Sequence, residues 1–200
     1  MKITKEFEGL NRIENGDYVY EGDLISDGDI EIELDDRLVV KGKIEAKNNI
    51  TATMSIRTGD GISADWCIIA GGSISAGDGI SAGLGISAVD GISAGWGISA
   101  GDGISAGGSI SAGGSISAGW GISAGDGISA GDGISAGWGI SAGDGISAGE
   151  FIDCGKRIFA GTSVYWDSDD CDKSIKCKEL LRGDIAYGDL IEEARNETQT

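Results

Sequence analysis

Four aspartates, Asp60, Asp78, Asp126 and Asp144, form two pairs whose members stand 18 residues apart. Carboxylates held about 5 Å apart repel, and a hard cation with oxygen ligands, calcium above all, relieves such a pair. Solvated charge is the plainer reading, and calcium is the alternative. Trp66, Trp120 and Trp138 also differ by multiples of 18, and Leu84 falls in the same series. Side by side they would make an aromatic stripe, of the kind that anchors protein interfaces.

Other chemistry is poorly served. Histidine is absent, so the many serines lack the usual general base, and near-identical serines single out no nucleophile. The cysteines at 67, 154, 171 and 177 form no CxxC pair and have no histidine to complete a zinc site. Cys154 and Cys177 each follow an Ile by two residues and are expected to pack as small buried side chains. The run "DSDDCD" at 167–172 lacks the glycine and the terminal glutamate of an EF-hand loop. No catalytic residue and no cofactor are expected.

What must position the aspartates and tryptophans is a six-residue phrase. Counted in sixes from Ile32, the positions Leu38, Ile44, Ile50 and onward to Ile158 and Val164 are all apolar. Two places after most of them comes Ala, with Ser between. In an extended chain residues i and i+2 share a face, so Ile and Ala point inward and Ser outward. The paired glycines around the variable residue are read as corners that need backbone freedom. A helix would scatter a period of six around its circumference, and glycine would cost it about 1 kcal/mol per residue. The 18-residue recurrence of Trp66, Trp120 and Trp138 favours three hexads per turn. The expected fold is all-β, a single-stranded parallel β-helix of either hand with triangular coils of about 18 residues. Stacked as repeats must be, it would comprise seven to eight coils.

The expected organisation is an N-terminal cap (1–31), the hexapeptide-repeat β-helix (32–166) and a C-terminal cap (167–200). Tyr18, Val19 and Tyr20 are expected to cover the first coil. Ile175 and Ile185 mark two further strands, and Leu190 to Arg195 suggests a short amphipathic helix.

The 200 residues carry 15 Lys and Arg against 33 Asp and Glu, a net charge of −18. That excess disfavours nucleic acid and anionic membranes, both of which attract clustered cations. The opening residues resemble no signal peptide and no long apolar run follows, so a cytoplasmic location is expected. Disorder is disfavoured by an apolar register that never slips.

"LVVKGKIEAKNNI" (38–50), with the Ile-x-Ala beat that follows, resembles the bactofilins over roughly residues 30–165. These bacterial cytoskeletal proteins form a β-helix and polymerise end to end without nucleotide, which implies a structural role. The chain also resembles bacterial proteins with AGxGIxAG repeats. Its period is similar to that of the hexapeptide-repeat acyltransferases and the β-helical carbonic anhydrases, but both depend on histidine. A non-enzymatic scaffold that binds itself or another protein is therefore expected. The alternative is surface recognition, with Ser or Asp ladders meeting ice or calcium.

Overall fold

The computed structural model describes residues 1–162 and 172–192. Every regular element among them is a strand. Through the repeats each strand pairs in parallel with the strands 18 residues before and after it: Ile62 lies between Ile44 and Ile80, and Ala64 between Ala46 and Ala82. Three strands make one coil, and the coils stack into a β-solenoid of about nine turns. At the usual spacing of parallel strands its length is roughly 43 Å.

The three flat sides are called here faces A, B and C. In the coil that starts at Leu38 they are Leu38–Val40, Ile44–Ala46 and Ile50–Ala52. Ile and Ala of each strand are buried along the axis, while the residue between them faces outward. A fully buried Ile side chain contributes about 2 kcal/mol, and each coil repeats that gain three times. The backbone ladder does not stop at the corners. Gly83 N–H donates to Ala64 O (3.0 Å), Leu84 N–H to Trp66 O (2.9 Å) and Ile86 N–H to Gly103 O (3.0 Å). These corner amides thus find partners one coil away, as buried backbone donors must.

The glycines are needed for a different reason than corner freedom. Among the described residues positive φ is confined to Gly9, Gly16, Gly22, Gly161, Gly183 and Gly188, none of them in the regular repeats. In the repeats the glycine after Ala passes almost against the coil below: a Cβ on Gly101 would lie 2.0 Å from Gly83 O. The glycine before Ile is looser, with 3.4 Å between a Cβ on Gly103 and Gly121 O. Serine accordingly occupies that looser place at 73, 109 and 115.

The solenoid begins earlier than residue 32. Tyr18 pairs with Leu38, Leu24 with Ile44 and Ile30 with Ile50, a spacing of 20 residues, before Leu38 and Ile56 settle to 18. Ile32 therefore stacks on Ala52, in the Ala place, and the hexad frame starts at Leu38. The two extra residues lie in the corner after Ile32. There Leu34 is buried, and Thr53 Oγ1 accepts from Leu34 N–H (3.2 Å) and donates to Leu34 O (2.7 Å). This coil, together with the final one, raises the total above the expected seven to eight. The boundary expected at 31/32 falls inside the strand Ile30–Ile32.

Residues 1–12, and not Tyr18 to Tyr20, cover the first coil. Lys2–Ile3 pairs with the strand Ile30–Ile32, and Leu10–Arg12 folds back antiparallel on Tyr18–Tyr20. Phe7 packs on Tyr20 with ring centroids 5.8 Å apart. At the other end come Ser174–Cys177, Glu179–Tyr187 and Asp189–Glu192. The helix expected at Leu190 to Arg195 is strand as far as Glu192, because Leu190 stacks on Ile175; its remainder lies outside the described residues, as do Val164 and most of "DSDDCD". No helix among the described residues is long and apolar enough to cross a membrane.

Candidate interaction ridge

Each corner residue between two glycines stacks on its counterpart 18 residues away, so the three corners become three ridges. At the corner between faces B and C, hydrogen bonds run from Trp66 N–H to Asn48 O (3.1 Å), Asp102 N–H to Leu84 O and Trp120 N–H to Asp102 O (2.9 Å each), and Trp138 N–H to Trp120 O (2.7 Å). Trp66, Leu84, Trp120 and Trp138 therefore share one ridge, broken by Asp102. All three rings are exposed: Trp66 is 52% exposed, Trp120 62% and Trp138 53%.

Trp120 and Trp138 stack nearly parallel, 12° between planes and 5.8 Å between centroids, and the Lys156 ammonium sits 3.6 Å from the Trp138 ring centroid. Lys156 continues the 18-residue series from Trp138, so the same spacing that marks the tryptophans would have found it. The ridge thus has two parts: Trp66 with Leu84, and a Trp120–Trp138–Lys156 stack. Face C beside it is a shallow groove with an outward ladder of Ser87, Ser105, Ser123 and Ser141, closed by Ile69 at one end and Phe159 at the other. Equal serine ladders also run on faces A and B, for example Ser63 to Ser81 and Ser93 to Ser111.

The two aspartate pairs lie on separate ridges. Asp78 N–H donates to Asp60 O at the corner of faces A and B, and Asp144 N–H to Asp126 O at the corner of faces C and A, each at 3.3 Å. Stacking brings two carboxylates together on each ridge, and among the described residues no group of three His, Cys, Asp or Glu converges. Trp96, 74% exposed, stands on the Asp60 ridge, with its N–H on Asp78 O (3.2 Å). Cys154 and Cys177 are buried, and desolvation pushes both thiols up from their ordinary pKa. They are thiols, not thiolates, near neutral pH. Cys67 is partly exposed, and Cys171 is outside the described residues.

The fold and its ridges define a β-solenoid protein with a tryptophan-bearing ridge between faces B and C. No protein-family model, curated protein or solved structure matches the chain.

Proposed function

We propose that this protein is a non-enzymatic scaffold: a rigid acidic rod that presents its aromatic ridge to another protein or to a second copy of itself. The observation that carries the reading is the exposed Trp120–Trp138–Lys156 stack on a backbone bonded coil to coil. Tryptophan rings on a rigid wall lose little conformational entropy on binding, and such residues anchor interfaces. The ridge resides beside an apolar-ended groove, and the chain contains no histidine.

Light scattering across protein concentration, beside a variant with Trp66, Trp120 and Trp138 changed to Ser, tests it. Ridge-driven association is expected to disappear in the variant, with the far-UV spectrum and melting temperature unchanged. Association that survives the triple change would sink the ridge as an assembly surface. The second reading, recognition of a repeating ligand or of calcium, has the regular Ser ladders and the two Asp pairs in its favour. A calcium-dependent melting shift or a thermal hysteresis gap would support it.

A further inference from the structure

The regular coils mostly place Gly or Ser before each strand, Ser at its centre and Gly after it. On face A of the first coils three cations take these places together. Arg37 precedes the strand Leu38–Val40, Lys41 follows it, and Arg57 stacks on outward Val39 one coil later, with Ser75 next in the column. Paired residues on neighbouring strands stand about 4.8 Å apart, and Arg37 and Lys41 flank Val39 by two residues each, within reach of long side chains. All three line one concavity of about 560 Å³, together with Ile13, Val39 and Ser75, a size that suits a small molecule.

Two of these cations are uncommitted. Lys2, Lys5, Arg37, Lys43 and Lys47 stand in ion pairs, and Arg12 donates to Gly16 O and lies over the Tyr18 ring. Lys41 and Arg57 have no ion pair and no side-chain hydrogen bond among the described residues, in a chain with 33 Asp and Glu. Asp17 is the one carboxylate that lines the concavity among the described residues. It is already bound: its side chain, 8% exposed, accepts from Arg37 Nη2 at 2.5 Å and from Asn15 Nδ2 at 3.0 Å. Arg37 first, then Asn15 and the charge on Arg57, hold its carboxyl below the usual range. That buried pair cancels its own charge and pins Arg37, whose side chain is 41% exposed and whose buried Nε has no acceptor among the described residues. Asp17 therefore does not exhaust the donors of this guanidinium.

We infer that this concavity binds a small organic oxyanion, a carboxylate or phosphate group carried on a short apolar body. Lys41 and Arg57 supply two positive charges that nothing else in the concavity cancels. Arg37 and the Ser75 hydroxyl supply further donors. Ile13, 45% exposed, and half-buried Val39 meet the apolar part. Guanidinium forks match carboxylate and phosphate alike, so the shared feature is the oxyanion. Past Arg57 the wall carries only negative charge as far as Lys156, and its field repels anions from the rest of the rod. The inference stands apart from the scaffold reading, because the ridge between faces B and C takes no part in it.

Calorimetric titration of the full chain with phenyl phosphate, benzoate and inorganic phosphate, in an amine buffer, is the test. Saturable one-to-one binding of phenyl phosphate or of benzoate is expected, with Kd at or below about 1 mM. Whichever of the two binds more tightly names the head group. Lys41→Gln and Arg57→Gln should each weaken that binding about tenfold at an unchanged melting temperature. Lys47→Gln, which removes a cation paired elsewhere with Asp27, should bind as the parent does. No saturable binding of either aromatic anion up to about 10 mM would overturn the site. So would inorganic phosphate bound as tightly as phenyl phosphate, or Lys41 and Arg57 variants that bind like the parent.

Discussion

The ends of this rod are laced with ion pairs and its middle has none. Lys2–Glu33, Lys5–Asp35, Arg37–Asp17 and Lys47–Asp27 tie the first coils, Lys43–Glu45 pairs within one coil, and Lys178–Glu150 and Arg182–Asp153 tie the last, all at 2.5 to 2.7 Å. Between Arg57 and Lys156 there is no Lys or Arg at all, so every charge on the central wall is negative. Exposed pairs contribute little stability, about 0 to 1 kcal/mol each, and the middle stands without them on Ile stacking and backbone ladders. What the middle lacks is a reason to choose a register. Slide its coils by one hexad and Ile falls on Ile again, the degeneracy expected of a flat repeat. The ends differ: the 20-residue first coil, the Leu34–Thr53 bonds and the unique charge pairs fit in one alignment only. They fix where the monotonous section must start and stop.

The largest effect should come from changing the phase of the middle. Excising residues 92–109, one coil of 18, should keep a cooperative melt within about 5 °C of the parent, since each coil only adds to a stack of like neighbours. Excising 92–100 instead sets Gly101 in the place of Ile92, and the cooperative transition followed by circular dichroism should vanish. Equal behaviour of the two deletions would refute the view that phase is what the middle contributes.

A smaller effect separates the two glycines of one corner. Gly101→Ala forces a Cβ to within 2.0 Å of a carbonyl oxygen, and about 2 kcal/mol should be lost in urea unfolding. Gly103→Ala, at 3.4 Å, should change stability by less than about 0.5 kcal/mol. Asp65 and Val89 occupy the tighter place, so a side chain there carries a cost and is not prohibited.

The smallest effect belongs to the charged end. Hydrogen bonds from Lys5 (2.6 Å) and the Tyr18 hydroxyl (2.7 Å) lower the Asp35 carboxyl to about 2, and the Arg37 guanidinium lowers Asp17. A carboxylate with a depressed folded pKa stabilises fully above its unfolded value, about 3.9, and loses that contribution as pH falls through the folded one. The gap in urea midpoint between wild type and Asp35→Asn should therefore be open above about pH 4 and close toward about pH 2. A gap that stays constant across that window would mean that Asp35 acts by packing alone.

The solenoid was legible because one inward residue per side repeats without error, and the aromatic ridge because Trp66, Trp120 and Trp138 keep the 18-residue period. The same period passes through Lys156, yet a lysine after a strand reads as solvated charge until its ammonium is seen over Trp138. The first coil was hidden by its two extra residues. Ile30 and Ile32 are both apolar and both point inward, and only pairing with Ile50 and Ala52 says which of them continues the Ile column.

By itself the sequence determined the all-β coil, its inward Ile and Ala, and the alignment of its corners, because a strict period constrains the chain one residue at a time. The tertiary structure decided what depends on neighbours far along the chain. It showed that glycine is favoured by the approach of stacked backbones and not by φ, that Cys154 lies under Gly183, and that residues 1–12 cover the first coil. Those are properties of surfaces that meet only after the coils have stacked, and no local pattern encodes them.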